Sequence, residues 1–426
     1  MVVEYTGTKY GLFWSLLLYC AYVFSFLVSR MFTSDVRYVG AIVGSVVGGF
    51  SAGFLWTALG NFLQASASLY STATTLSISK SNSLLSGIFS FTYLFGEALV
   101  KCASTWIPDA FDGGETTVYI VFTIISLVCA LLTLYVEDVQ DLVRRQENAS
   151  RENNATSSFS IMSKIFSAIK LLTSDIKMIL LYPNNMAFGF SSAFVSYYAN
   201  GTLVKSCVNT DDMNYIGYFA ALVALIAGVS CPIFSLITRK VFRGNKMFVM
   251  ILGIVAISVE MLVYMLYDLN RDDLVRGEKI CNTRDLVVLY FLHGIGRGVW
   301  ESTNKAVVLD FFPNRVTAAF ANILVANGLA STVGFFIYEA EPKLKNDPFA
   351  MTTLTFSLCM ISLIAFPLAS YLNNHHRVMI DDNNIEVSSS SGVAFKIVSN
   401  SLENDCGSDD SLSVSFLPRE EEHGDL

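Results

Sequence analysis

Residues 247–267 read MFVMILGIVAISVEMLVYMLY, and this stretch decides the fold class. Its one charged side chain is Glu260, and the residues around it are almost all apolar. A helix of about 20 apolar residues crosses the hydrocarbon core of a bilayer, which is about 30 Å thick. The stretch therefore predicts a membrane-spanning helix.

The composition extends this prediction to the whole chain. Hydrophobic residues make up 53% of it, charged residues 15%, and its mean hydropathy is +0.50, whereas soluble domains carry about 25% charged residues. Apolar runs of spanning length recur about ten times, with no soluble enzyme domain between them. We therefore predict an all-α membrane protein. The predicted spans are 11–29, 38–59, 84–104, 117–136, 178–199, 214–236, 247–267, 286–308, 316–338 and 350–371.

One long polar connection, 137–177, divides the spans four before and six after. Basic residues collect in it, which places it and both termini in the cytosol. From Asp381 onward the chain holds 11 acidic and 2 basic residues, so this tail accounts for the net charge of −8. The prediction is an N-terminal half-bundle at 1–136, a cytosolic central loop at 137–177, a C-terminal half-bundle at 178–372, and a disordered acidic cytosolic tail at 373–426.

Charged residues interrupt the predicted span 286–308. Residues 293–312 read HGIGRGVWESTNKAVVLDFF, with charged or titratable side chains at intervals of four, which form one ridge on a helix. A charge at the bilayer centre costs about 2.5–3.5 kcal/mol even on the mildest scale, so such residues mark substrate or ion pathways. The predicted pathway residues are His293, Arg297, Glu301, Asn304, Lys305 and Glu97.

The balance of charge along this ridge leaves alternatives open. Glu301 lies one turn from both Arg297 and Lys305 and can bond either, and we expect Lys305 to snorkel to the cytosolic face. The remaining positive charge requires Glu97, another acid or an anionic ligand. A satisfied network without any ligand is the other interpretation. Glu260, like Glu97, must be near an interface, protonated or paired.

Two ridges of small residues predict close helix packing, because small side chains let membrane helices approach one another. One ridge neighbours the charged one and steers it toward protein or a cavity. The ridges are Gly40, Gly44, Gly48 and Ala52, and Gly294, Gly298, Ser302 and Ala306.

Several function classes find no support in the chain. GFSAG at 49–53 matches a hydrolase nucleophile elbow, but the elbow requires a strand-to-helix turn and this serine lies in a predicted helix. No zinc spacing, phosphate-binding loop or nucleic-acid patch occurs, so we predict no enzyme, no metal and no cofactor. Cys207 and Cys281 both fall in polar loops on the non-cytosolic side, and the sequence leaves open whether they are bridged.

Three segments carry a resemblance to a known family: GGFSAGFLWTALGNFLQAS at 48–66, NSLLSGIFSFTYLFGEAL at 82–99, and the segment 296–338 with its FFP turn and AAFA helix start. In this order they resemble the Unc-ninety-three family of ion-channel regulatory proteins, a branch of the major facilitator superfamily. Leu59 and Phe62 stand where the family usually has Gln and Tyr. The resemblance implies a family-signature helix that contains Gly49, Gly53, Trp56, Thr57, Gly60 and Asn61.

The resemblance also implies a fold and two alternative functions. The fold is a major-facilitator-like bundle in which the first two of twelve helices have no counterpart. We therefore expect either a start upstream of Met1 or a partner helix that fills the gap. The leading function is to regulate or escort another membrane protein, a channel or receptor. The alternative is a secondary transporter of a small solute, and an anionic solute is one of the options. The partners are the lipid bilayer and such a protein or solute, in a plasma membrane or endomembrane that the sequence does not distinguish.

Overall fold

The computed structural model describes residues 7–32, 35–110, 114–139, 141–143, 166–208, 214–268, 283–340 and 349–390. All regular secondary structure in these ranges is helical. The chain forms two units, residues 1–375 and 376–426. The helices before the central connection are α1 (Thr8–Met31), α2 (Asp35–Ala73), α3 (Ile78–Ala110) and α4 (Glu115–Leu132), and a 3₁₀ turn, Thr133–Tyr135, follows α4.

The helices of the second half are more often interrupted. They are α5 (Ser167–Ser174), α6 (Ile176–Phe194) with a π-helical segment Val195–Leu203 and α7 (Val204–Val208), α8 (Asn214–Lys240), α9 (Met247–Asp268), α10 (Thr283–Val299) with a π-helical segment Trp300–Asn304 and α11 (Lys305–Phe311), α12 (Val316–Ala340) and α13 (Phe349–Ser390).

Packing joins the halves along two pairs of helices. In the first half, α1 packs on α2 and α4, while α3 packs mainly on α8 of the second half. Within the second half α12 packs on α6, and α10 lies between α8 and α9; α12 also contacts α2. The charged helix α10 is therefore an inner helix of the bundle, with α3 of the first half close to its π-helical end.

Eight described helices are long and apolar enough to cross a membrane. They cover eight of the ten predicted spans. The other two predictions, 178–199 and 286–308, fall on α6 and α10, each of which continues into a π-helical segment. Regular helical hydrogen bonding changes at those points, and π-helical segments occur frequently at functional sites. Polar residues lower the hydropathy of both helices: His293 and Arg297 of the predicted pathway on α10, and Asn184 and Asn185, which were not among the predicted residues, on α6.

The side chains on the outside of the bundle fit a lipid environment. Only 6% of the most apolar window of α4 is buried within the chain, against 56% in α9. Large apolar residues such as Ile364 on α13 are three-quarters exposed. Since the backbone groups in the interior of a helix bond to one another, the apolar surface can face hydrocarbon directly.

Two predicted boundaries differ from the structure. The predicted loop 137–177 contains α5, which buries Leu171 and whose Ala168 carbonyl accepts a bond from Asn322 Nδ2 at 2.9 Å. A short amphipathic helix is missed when only spanning length is sought. The predicted tail begins at 373, inside α13, which continues to Ser390; residues 391–426 lie outside the described residues. The disordered state of the tail stays a prediction.

Local chemistry explains where two inner helices start and stop. Asp175 caps α6, because its Oδ1 accepts the backbone N–H of Lys177 at 3.1 Å. Helix α11 ends at Phe311, and Pro313, two residues later, lacks the N–H that would continue it.

Candidate functional site: a charged cavity between the two halves

Arg297 on α10 binds Glu97 on α3 through two parallel hydrogen bonds. Nη1 lies 2.9 Å from Oε1 and Nη2 lies 2.6 Å from Oε2, and Lys101 Nζ contacts Oε1 at 2.7 Å. The hydroxyl of Tyr93 lies 3.4 Å from Nη2. Glu97 is therefore the acid that balances Arg297, and it joins the first half to the second. Bidentate arginine–carboxylate pairs are among the stronger ion contacts in proteins.

Lys305 does not snorkel to the cytosol, and that expectation was wrong. Its Nζ donates to Glu301 Oε2 at 2.7 Å and lies 4.1 Å from the ring centre of Trp56. The rings of Phe89 and Tyr93 follow at 5.5 and 5.8 Å. Lys305 is 6% exposed. Three aromatic faces and one carboxylate therefore hold the ammonium group inside the bundle, where cation–π contacts gain strength from the absence of water.

His293 belongs to a separate polar group. Its Nδ1 lies 3.1 Å from Glu260 Oε2 on α9 and 3.2 Å from Ser191 Oγ on α6. Glu260 is fully buried. The sequence identified Glu260 as a lone acid in an apolar run but did not select it, although the argument used for Glu97 applies equally to it.

Asn304 lies at the end of the π-helical segment of the charged helix. Its Nδ2 donates to Asn185 Oδ1 at 3.0 Å, and Trp300 Nε1 donates to the same oxygen at 3.3 Å. Asn304 Oδ1 is buried, with no hydrogen-bond partner in the described part of the chain. Asn185, on α6, was not predicted, because an asparagine within an apolar run carries little sequence signal.

A cavity of about 290 Å³ lies among these side chains, between α3 of the first half and α6, α8 and α10 of the second. Of the residues predicted as pathway, Glu97, His293, Arg297 and Glu301 line it. Both π-helical segments reach it. The lining residues are Glu97, Lys101, Phe188, Ser192, Val195, Ser196, Asn200, Ala220, Val223, Tyr290, His293, Arg297 and Glu301.

A second cavity of about 110 Å³ lies on the other side of Glu301 and holds the remaining two predicted residues. Glu301 and Phe188 line both cavities. The lining residues are Trp56, Asn185, Phe188, Trp300, Glu301, Asn304, Lys305, Phe320, Ile323, Leu324 and Asn327. Glu301 and Phe188 therefore lie between the two cavities, and the smaller one is lined by Lys305 together with amide, aromatic and aliphatic groups.

The family-signature helix contributes its second half to this region. Trp56 covers Lys305, and a Cβ on Gly60 would lie 2.7 Å from the Phe320 ring, so α2 and α12 are close there. Asn61 Oδ1 accepts a bond from Thr317 at 2.9 Å. Thr57 bonds only to carbonyls of its own helix among the contacts described, and Gly49 and Gly53 face open space.

Two further predictions have partial answers. Cys207 is disulfide-bonded, but Cys281 lies outside the described residues, so their pairing stays a prediction.

Ser51 lies within α2, and its Oγ donates to the Ser15 carbonyl at 2.6 Å, which is a helix-packing contact. In the described part of the chain no group of three or more His, Cys, Asp or Glu residues could hold a metal ion.

A second ion pair connects the first and second halves of the bundle near the ends of α3, α9 and α11. Asp310 receives Lys246 Nζ at 2.5 Å, Ser79 Oγ at 2.6 Å and Asn82 Nδ2 at 2.7 Å. Ser79 and Asn82 belong to α3, whereas Lys246 directly precedes α9. The carboxylate thus bonds to both halves.

We expect Asp310→Asn to lower the free energy of unfolding by about 2 kcal/mol, because bonds to a charged group are worth about 1.5–3 kcal/mol each and the amide keeps some of them. SDS-induced unfolding in mixed micelles measures this. The double variant Asp310→Asn/Lys246→Met should be less destabilised than the sum of the two single variants. Simple additivity would contradict the pairing.

An all-helical bundle with a charged cavity between its halves defines a multi-pass membrane protein of the major facilitator type. The chain belongs to the UNC-93 family: the family model described as "Ion channel regulatory protein UNC-93" matches residues 1–379. The resemblance, the fold class and the multi-pass membrane localisation predicted from the sequence are thereby confirmed.

Curated relatives agree with this assignment. The chain is 24% identical over 353 residues to UNC93-like protein MFSD11 of Xenopus tropicalis, which covers 79% of this chain and 76% of that protein. It is 22% identical over 355 residues to the protein of the same name in Xenopus laevis, with the same coverage.

Proposed function

We propose that this protein carries a small zwitterionic solute across the membrane through the cavity between its halves. The observation that carries the proposal is the lining of that cavity: two acids, Glu97 and Glu301, and two bases, Lys101 and Arg297. Transporters of this architecture bind substrates at the interface of their repeats near the bilayer midplane. A volume of about 290 Å³ suits a small molecule.

The balance of charge in the lining favours a zwitterion over a simple anion. A purely anionic solute would meet Glu97 and Glu301 as well as the two bases, and like charges in a low-dielectric site repel strongly. A solute with both signs can place its anionic group near Lys101 and its cationic group near Glu301. Lys101 suits the first role, since its side chain is 34% exposed and Arg297 is already bound by both carboxylate oxygens of Glu97.

Uptake into proteoliposomes tests the proposal. The panel contains radiolabelled neutral L-amino acids as zwitterions, lactate as an anion and choline as a cation. We expect zwitterions to be taken up, and Lys101→Gln to reduce their initial uptake roughly tenfold, because one charge-assisted bond is worth about 1.5–3 kcal/mol.

Lys240→Gln is the matched control, because it removes the same charge from an exposed position at the end of α8. It should leave uptake unchanged. Absence of uptake for the whole panel, or equal effects of the two substitutions, would contradict the transport proposal.

A second proposal, regulation or escort of an ion channel or another membrane protein, rests on the description of the family. In that role the ion pairs between α3, α10 and α11 would fix the fold without serving a solute. A stable complex with a co-reconstituted channel, together with no flux of any panel member, would favour it over transport. Both proposals are non-enzymatic roles.

A further inference from the structure

Glu260 and His293 form a buried acid–imidazole pair beside the main cavity. Glu260 Oε2 lies 3.1 Å from His293 Nδ1, and Glu260 Oε1 is buried with no hydrogen-bond partner among the residues that the structure describes. Glu260 is 0% exposed and His293 is 4% exposed. Ser191 Oγ lies 3.2 Å from the same Nδ1.

This carboxylate differs from the other buried acids that the structure describes in the nature of its partner. Glu97 is held by Arg297 and Lys101, and Asp310 by Lys246, all of which are cations at neutral pH. The partner of Glu260 is an imidazole, the type of side chain that can be either neutral or cationic near physiological pH.

An ionised carboxylate beside a neutral imidazole would leave an uncompensated charge in the bilayer, at a cost of several kcal/mol. One proton removes that cost wherever it resides. If it is on Nδ1, the imidazolium donates to Glu260; if it is on Glu260, the carboxylic acid donates to Nδ1. The 3.1 Å contact serves both arrangements.

The surroundings supply no other charge that could take this role. Three titratable groups interact electrostatically with Glu260: Tyr264 of its own helix α9, Tyr290 of α10 and Cys359 of α13. Tyr198 and Tyr338, from α6's π-helical segment and α12, interact with Tyr264. Phenols and thiols of this kind are neutral at pH 7. Of the pair and these groups, only the imidazole can become cationic; Lys101 and Arg297, which line the same cavity as His293, are already paired with Glu97.

The Glu260–His293 pair can exchange a proton with the main cavity. His293 lines the cavity, whereas Glu260 has no exposed surface. A proton from cavity water can bind to the imidazole, and the ring can pass its Nδ1 proton to Glu260 Oε2. Release reverses these two steps, with no change in oxidation state.

Resting on the transport function proposed above, we propose that the Glu260–His293 pair is a proton-binding site and that one proton crosses the membrane with each solute. The charges of Lys101 and Glu301 then hold the solute, while the Glu260–His293 pair responds to the proton gradient. The two sites share one cavity, so they open to the same side of the membrane at the same time.

The first test measures proton binding without any solute. Infrared difference spectra of the full chain in lipid nanodiscs, recorded across a pH titration, should show the carbonyl stretch of a protonated carboxylic acid. Glu260→Gln should remove that band, since its amide can still donate to His293 but cannot titrate. Glu301→Gln, which alters a lysine-paired carboxylate on the same cavity, should retain it. A carboxylic acid band that survives Glu260→Gln, or a titration that shows neither a carboxylic acid band nor the ring bands of an imidazolium, would overturn the proton site.

The second test measures coupling. With one proton per solute, the steady-state accumulation of a neutral L-amino acid in proteoliposomes should rise about tenfold for each pH unit of inward gradient. Glu260→Gln should hold the accumulation ratio near one while exchange of labelled for unlabelled solute continues. His293→Gln should behave in the same way, because the proton reaches Glu260 through the ring.

The outcomes separate this inference from the function on which it rests. Uptake that ignores the pH gradient would overturn the coupling and leave solute transport standing. No uptake of any panel member, with a carboxyl band that disappears in Glu260→Gln, would overturn transport and its coupling while the proton site stands.

Discussion

Arg297→Gln is expected to lower the free energy of unfolding by about 3–4 kcal/mol, because removal of one partner from a buried ion pair leaves the other charge uncompensated. Arg297 and Glu97 are 15% and 19% exposed and share two hydrogen bonds across the interface of the halves. Lys101 still contacts Glu97 at 2.7 Å, which keeps the loss from being larger. SDS-induced unfolding in mixed micelles provides the measurement.

The double variant Arg297→Gln/Glu97→Gln should recover at least half of that loss, since two amides can bond to each other and neither residue leaves an unpaired charge in the bundle. Lys101 then loses its carboxylate, but it is 34% exposed and can reach water. Arg315→Gln, in the exposed turn before α12, is the control and should change stability by less than about 0.5 kcal/mol. A double variant as unstable as the single one would show that the ion pair is not the source of the effect.

The membrane fold could be predicted from hydropathy. A span in lipid must satisfy its own backbone and is therefore a helix, and the apolar side chains of that helix form a long run in the sequence. The predicted small-residue ridge on α2 also has a structural counterpart: a Cβ on Gly40 or Gly44 would meet Ser29 or Ser25 at under 3 Å. The short amphipathic helix α5 has no apolar run of spanning length, so hydropathy did not predict it. The π-helical segments depend on packing around α6 and α10, so the regular spacing of four residues predicted one continuous ridge where the helix in fact changes its winding at Trp300.

For the site, too, the sequence predicted contacts within one helix but not contacts that depend on how different helices pack. Spacing along one helix placed Arg297, Glu301 and Lys305 together, and a charge count required an acid from elsewhere. Which acid it would be depended on how α3 packs against α10, and the sequence could only name Glu97 as one option. The side chain of Lys305 lies inside the bundle because its ammonium group contacts three aromatic rings from α2 and α3. No spacing within a single segment reports such a set of neighbours.

Helix contact at Gly189 gives the second large effect. Gly189 on α6 lies so close to α12 that an added Cβ would be 2.3 Å from the Asn327 carbonyl oxygen and 2.8 Å from Ala330 Cβ. The first of these atoms belongs to the backbone and cannot rotate away. Gly189→Ala must therefore push α6 and α12 apart, which also stretches the 2.9 Å bond from Ser331 Oγ to the Gly189 carbonyl. We expect a loss of about 3 kcal/mol, the upper part of the range for overpacking.

The same substitution at Gly328 separates this steric effect from the general effect of alanine in a helix. Gly328 lies on α12, next to Asn327, but a Cβ there would meet nothing within 4 Å. Gly328→Ala should raise the free energy of unfolding by roughly 0.5–1 kcal/mol, because glycine within a helix costs that much relative to alanine. Unfolding in SDS should thus move in opposite directions for the two variants. Shifts of equal size and sign would show that α6 and α12 do not approach each other at Gly189 as closely as the clash of the added Cβ requires.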